Sequence, residues 1–456
     1  MRKRMFIMKR NFLISLITLC GLIFTLESCE TTQLTILGED SSNLQAFEAL
    51  KNKYEKESGV KLAFRPNTFE EAYEKANQDF IHQTGQYDIV MQYNFSLASY
   101  VRNNFVWTLD SLIQFATNPD TSFLKDKKFD FAWHEVGSYY RNPSNPQKGK
   151  IQRIGFPFAT NTMLLVYNKR MFENQKNQDA FKKRYGRELT VPTDWEHFRQ
   201  IAEFFTKENT YGVCMQGTGD WLYYEYCDFL YGMGGSIFEK EHGWEGDQNT
   251  PITINSKKAE DATRFYLSLK PYNKGDYFKT DATEQVRMIL EGDVAMGLVW
   301  SDYLYGFLKS DKRSSRFGYA PIPGDKSPIA GGCFYVNRNS KHPKEAIDFI
   351  LYMMKPEVQA ELALNGLCSP LKDTYKENSQ VMKKIPYAEA LGKSLKDERC
   401  KYMYEAGLEA GMVSQIITNH IQRLWRSGNP DDIKSVLRMI EVDIEAAQQD
   451  IYNNID

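Results

Sequence analysis

Between residues 34 and 92 the hydrophobic pattern switches repeatedly between strand and helix spacing. That alternation constrains the fold more than any other feature of the chain. Leu34 to Leu37 is a short apolar run that ends at Gly38-Glu39-Asp40. Ser41, Ser42 and Asn43 then offer helix caps ahead of Leu44, Phe47, Leu50 and Tyr54, which share one face at helical spacing. Gly59 stops that helix and Val60 to Phe64 alternates as a second strand. Phe69 to Ile81 reads as a second helix and Tyr87 to Gln92 as a third strand, with Asp88 in a structural role. Strands joined by helical crossovers run parallel in one sheet. Ligands of such sheets bind outside the carboxyl ends of the strands, which places Glu39, Asp40, Tyr93 and Asn94 on the loops of a candidate binding edge.

A second informative stretch runs from Ile289 to Val336. The apolar strand Val294 to Val299 closes on Trp300, and Ser301 and Asp302 follow at once. Strand alternation alone can turn Trp300 into the core, whereas the polar neighbours Ser301 and Asp302 favour a cleft that satisfies them. A turn-rich Pro-Ile-Pro-Gly and the pair Gly331-Gly332 lead into Cys333 to Val336. Glycines there either ease the turn or let backbone N–H groups approach a ligand.

The middle of the chain carries the remaining candidates. Gly155 to Thr162 feeds the apolar strand LLVY through Thr160 and Asn161, and is the expected first crossing between two lobes. Thr193 or Asp194 starts a helix, with Glu196 placed for a capping box to Thr193. Trp221 sits between Asp220 and the pair Tyr223-Tyr224 in a stretch rich in rings. Aromatic faces beside carboxylates suit sugars: the C–H face of the ring stacks while hydroxyls donate to the acids.

At 456 residues the chain exceeds the size of one core, so two domains are expected. Basic MRKRMFIMKR precedes an apolar run from Phe12 to Leu26, which reads as a signal peptide over residues 1–28. Leu26-Glu27-Ser28-Cys29 resembles a bacterial lipobox, with Cys29 the lipidated residue; plain secretory cleavage nearby is the alternative. Removing residues 1–28 takes away five basic groups and one acidic group, moving the net charge from −2 to −6. That balance gives no nucleic-acid partner. Five cysteines remain beyond Cys20 and Cys29; Cys214 and Cys227 either bridge or stay as buried thiols.

No phosphate-binding loop, dinucleotide fingerprint, zinc motif or nucleophile elbow occurs, so no metal or cofactor is expected. Carboxylates are plentiful and a glycoside hydrolase needs two facing each other; Glu39 with Asp302 is one pair open to that proposal, though nothing in the sequence fixes their separation.

Taken in order, YDIVMQY (87 to 93), GFPFATNTMLLVYNKRMF (155 to 172), VPTDWEHFRQIAEFF (191 to 205), GMGGSIF (232 to 238), EQVRMILEGDVAMGLVWSDY (284 to 303) and SPIAGGCFYVNRNSKHPKEAIDFILYM (327 to 353) resemble the extracellular solute-binding proteins of bacterial ABC importers, the family that includes maltose-binding protein. The resemblance covers roughly Leu34 to Asn454. It implies an α/β, two-lobed periplasmic-binding-protein-like fold with a hinged interlobe cleft. It implies a first lobe from about 29–156 plus 306–365 and a second from about 157–305 plus 366–456. The ligand contacts it implies come from Glu39, Asp40, Tyr93, Asn94, Thr160, Asn161, Trp221, Tyr224, Trp300, Asp302, Gly331 and Gly332. The expected partners are a small solute, a mono- or oligosaccharide, the transmembrane subunits of an ABC permease, and a membrane reached through the anchor at Cys29. A secreted carbohydrate hydrolase, or a sensor partnering a membrane receptor, is the alternative.

Overall fold

A computed structural model describes residues 32–118, 136–140, 151–239, 250–310, 315–324, 326–396, 399–402 and 410–453. The expected signal peptide and Cys29 lie outside the described residues.

Eleven strands are described: β1 (Gln33–Glu39), β2 (Lys61–Asn67), β3 (Ile89–Tyr93), β4 (Ser138–Tyr140), β5 (Ile151–Arg153), β6 (Phe156–Asn168), β7 (Tyr211–Val213), β8 (Val294–Trp300), β9 (Phe317–Pro321), β10 (Ser327–Val336) and β11 (Cys400–Tyr402). β4 and β5 form a separate two-stranded antiparallel sheet, and the rest form one sheet in the order β2-β1-β3-β10-β6-β8-β7, with β9 on β6 and β11 on β10. β1 pairs in parallel with β2 and β3, as the crossover argument requires, because a helix separates each successive pair.

The strand that joins the two halves is β6. Its first residues, Phe156 to Thr162, pair with β10, while Met163 to Tyr167 pair with Trp300 to Met296 of β8. Every residue of β6 is buried except Tyr167, which is half-buried. Alternation then sends Leu164 and Val166 into one core and Met163 and Leu165 into the other. The first core gathers both faces of the β1-β2-β3-β10 half with Phe47, Phe158 and Phe334. The second lies under helices Trp195–Phe205, Gly219–Gly232, Lys257–Ser268, Ala410–Ser427 and Ile433–Asn453, where Trp425 stacks on Tyr277 at 4.0 Å.

Local structure departs from the sequence pattern where side chains found tertiary partners. The first helix divides at Leu50 into Ser42–Ala49 and Lys51–Ser58, and Gly59 ends it with φ 76°. Ser41 is the N-cap without a side-chain hydrogen bond, because Ser42 and Asn43 turn inward instead. The capping box expected at Thr193 does not form. Asp194 caps that helix through His197 N at 2.7 Å, and Glu196 pairs with Arg199. A capping box does form on the helix Phe69–His82, between Thr68 and Glu71, where none was expected. Asp88 is structural: it accepts from Thr35 N at 2.8 Å and from Ser340 Oγ at 2.6 Å. Cys214 and Cys227 are buried free thiols, so the conceivable bridge is absent.

Candidate functional site

β1 ends at Glu39 and β3 at Tyr93, so the parallel register delivers both side chains to one edge of the sheet. β8 ends at Trp300 on the neighbouring half, and the helix that follows, Ser301–Ser310, begins with Asp302 and Tyr303 at that same edge. The helix Gly219–Gly232 adds Trp221 and Tyr224 from the second core, and Phe69, the first residue of the helix capped by Thr68, adds a ring from the first half. These residues, with Asn161 and Ala330, line a cavity in which a volume of ≈ 30 Å³ is open to the centre of a water molecule.

A hydrogen-bond network runs through its floor. Tyr93 Oη lies 2.6 Å from Glu39 Oε2 and 3.2 Å from Asp302 Oδ2, and the Tyr303 hydroxyl donates to Glu39 Oε1 at 3.0 Å. Asn161 Nδ2 donates to Asp302 Oδ2 at 3.1 Å, and Asn43 Nδ2 reaches the same oxygen at 3.5 Å and Asn161 Oδ1 at 3.3 Å. Asn43 Oδ1 in turn accepts from Cys368 N at 3.1 Å. The network therefore ties β1, β3, β6, the helix after β8 and the loop at Cys368 into one polar unit. Both acids are buried, and both hold their protons more tightly than usual. Burial pushes the Asp302 carboxyl up to about 7, with the Glu39 charge adding to it. Burial likewise raises Glu39 against the opposing hydrogen bonds of Tyr93 and Tyr303, and the acids Glu70 and Asp40 raise it further.

The rings form a continuous wall. Trp221 meets Tyr303 edge-on at 5.9 Å and Tyr224 at 6.1 Å, and lies tilted on Phe69 at 5.7 Å. Tyr224 meets Trp300 edge-on at 5.7 Å. Trp300 combines the two readings open to it: it is 5 % exposed within the second core, and it also lines the cavity. Two polar atoms of the lining, Trp300 Nε1 and Asp302 Oδ1, are buried without a hydrogen-bond partner.

Glu39, Tyr93, Asn161, Trp221, Tyr224, Trp300 and Asp302 are thus brought together, and five other expected contacts are placed elsewhere. Asp40 is exposed, accepting from Gln45 Nε2. Asn94 is buried in a short turn, where its Oδ1 accepts from Gly331 N at 3.2 Å. Thr160 is fully buried, and its N–H and hydroxyl hold the carbonyls of Cys368 and Ser369. A Cβ on Gly331 would meet Val136 Cγ1 at 2.1 Å, and one on Gly332 would meet Phe158 at 2.6 Å. These glycines let protein side chains pack at a bulge in the β10–β6 pairing, instead of opening backbone to a ligand. Phe69, Tyr303 and Ala330 were not anticipated. Phe69 follows a cap residue at the carboxyl end of a strand, and Tyr303 adjoins Asp302, so both signals were present in the sequence.

Among the described residues no helix is long and apolar enough to cross a membrane. A family model described as "Bacterial extracellular solute-binding protein" matches residues 49–387. No curated protein matches the chain. Among solved structures, an ABC transporter solute-binding protein of Agrobacterium radiobacter K84 in complex with ribitol is similar, with 16% identity and a TM-score of 0.70 over 92% of this chain and 98% of that one. Maltose-bound MalE3 of T. maritima shares 16% identity at a TM-score of 0.68, over 90% and 99% of the two chains. The GacH receptor of Streptomyces glaucescens GLA.O, described unliganded and with acarbose, shares 17% identity at a TM-score of 0.69, over 93% and 99%.

Proposed function

This chain belongs to the bacterial extracellular solute-binding proteins, and from that premise we propose that it captures a saccharide or polyol between its lobes and delivers it to an ABC permease. The observation that carries the ligand class is the cavity wall itself. Rings from both halves of the fold stand around two buried carboxyls and an amide, the combination that stacks on a sugar face and accepts its hydroxyls. The ribitol, maltose and acarbose complexes of proteins with this fold support the same class.

The lobe division proposed is the one expected above, with residues 29–156 plus 306–365 set against 157–305 plus 366–456. Hinge bending follows from the cavity's size. A volume of ≈ 30 Å³ accommodates about two water molecules and no sugar ring, so the solute enters with the lobes apart and closure completes its contacts. Cys29 is proposed as the diacylated anchor that keeps the body at the membrane outside the cytoplasm.

A thermal-shift screen of the mature protein against sugars, polyols, amines and phosphate esters tests the ligand class. A true solute at 100 times its Kd stabilises the fold by about 2.7 kcal/mol. Stabilisation by phosphate esters alone would sink the saccharide reading. Chromatography of the recovered ligand separates capture from hydrolysis at Glu39 and Asp302: the solute returns unchanged from a binding protein. Intact mass of membrane-extracted protein tests the anchor, since any mature N-terminus other than acylated Cys29 removes it.

A further inference from the structure

The charge of the solute is a separate question from its class, and this inference rests on the saccharide-binding reading. Glu39 and Asp302 face one cavity, and the groups that hydrogen-bond them are neutral: the hydroxyls of Tyr93 and Tyr303, the amides of Asn161 and Asn43, and the backbone N–H groups of Asp302 and Tyr303 on the Asp302 carboxyl. Among the described residues no Lys, Arg or His lines that cavity. The other charged groups that act most on Glu39 are Glu70 and Asp40, and Asp281 acts on its partner Tyr303; all three are acids.

One hydroxyl hydrogen serves both acids. The Tyr93 oxygen stands within reach of both a Glu39 oxygen and an Asp302 oxygen, yet the hydroxyl has one hydrogen to donate. It donates to Glu39 across the shorter contact, which leaves Asp302 Oδ2 accepting chiefly from the amides of Asn161 and Asn43. Two like acids buried on one cavity with no cation in its lining are accommodated by holding a proton between them. Asp302 Oδ1 and Trp300 Nε1, 3 % and 5 % exposed as residues, remain without partners on the cavity wall. One needs a donor and the other an acceptor.

We propose that the solute is a protonated amine carried on a sugar or polyol. Its ammonium sits at Glu39 and Asp302, and a hydroxyl oxygen beside it accepts from Trp300 Nε1. A neutral hydroxyl brings one donor and leaves the two acids to share their proton. An ammonium brings three donors and a charge, and so ionises both acids and releases that proton to solvent. The faces of the surrounding Trp and Tyr rings favour the same charge.

Calorimetry with matched pairs tests this: D-glucosamine against D-glucose, D-galactosamine against D-galactose, and chitosan oligomers against cello-oligomers. The amine member is expected to bind at least tenfold tighter. Its heat should change between phosphate and Tris buffers because a proton is released, and N-acetylation of the same sugar should abolish both effects without any change to the protein. Glu39→Gln should remove the preference for the amine. Neutral sugars binding as tightly as their amines, or amine binding with no buffer-dependent heat, overturns the proposal and leaves the saccharide reading standing. If no carbohydrate in any pair binds, both fall together.

Discussion

The Tyr93 hydroxyl lies 2.6 Å from a carboxyl oxygen of Glu39, so the ends of β1 and β3 are joined by a hydrogen bond at the binding edge of the sheet. Asp302 approaches the same hydroxyl from the helix after β8. Any change in the protonation of either acid is therefore felt where the two halves of the molecule meet.

The stability of the ligand-free protein should fall as pH rises through neutrality. An unfolded aspartic acid releases its proton near pH 4, at about 3.9. In the fold, burial and Glu39 hold the Asp302 proton up to about 7. The contribution of this group is fully present below the unfolded value and is lost as pH rises through the folded one. Asp302→Asn should flatten that slope in urea denaturation measured from pH 5 to 8.5. An unchanged slope would mean that other groups carry it.

Asp228 should behave similarly, away from the cavity wall. It is fully buried in the helix Gly219–Gly232, neither carboxyl oxygen has a hydrogen-bond partner, and burial raises its pKa well above the usual range. A buried polar group left unsatisfied costs about 1–3 kcal/mol. Asp228→Asn removes the ionisable proton while keeping the shape. The variant is expected to match the parent near pH 4 and to exceed it in melting temperature above pH 7.5.

Trp300→Ala should cost about 3–5 kcal/mol of folding stability, as large-to-small changes in a packed core do. Trp300 is 5 % exposed and packs edge-on against Tyr224 at 5.7 Å. Chemical denaturation reads the loss. Trp300→Phe keeps most of the packing but removes the indole N–H, so it should retain the fold and still weaken solute binding in calorimetry.

Trp221 should divide the other way. It is half-buried, and its contact with Phe69 at 5.7 Å joins the two halves across the cavity. Trp221→Ala is expected to weaken solute affinity by about 2 kcal/mol, as the loss of an aromatic anchor does, with a smaller effect on stability than Trp300→Ala. Small-angle scattering with saturating solute should show a smaller contraction than in the parent.

Gly331→Ala should destabilise without touching the cavity. Its new methyl would stand 2.1 Å from Val136 Cγ1 and 2.8 Å from Val136 Cβ, too close for a rotamer change alone to relieve. Overpacking of this kind costs about 1–3 kcal/mol. A melting temperature equal to the parent's would refute the packing role given to this glycine.

By itself the sequence determined the parallel start of the sheet, because strand and helix periods alternate in residues 34–92 and chain chirality leaves few ways to connect them. It also placed Glu39, Tyr93, Trp300 and Asp302 at strand ends, where short apolar runs give way to polar or aromatic residues. What it could not determine is which of the neighbours at those ends faces inward. Asp40 and Asn94 adjoin Glu39 and Tyr93, yet one is exposed and the other holds Gly331 N, since a single step along the chain at a strand end reverses the side chain's direction. Ser42 and Asn43 have the chemistry of helix caps, but partners more than a hundred residues away outbid the local backbone for their hydrogen bonds. Gly331 and Gly332 hold their places because of Val136 and Phe158, which no local pattern links to them. The sharing of one hydroxyl by Glu39 and Asp302 was likewise decided only by tertiary structure. Carboxyl burial and proton sharing depend on distances across the sheet, and those exist only once β6 has joined its two halves.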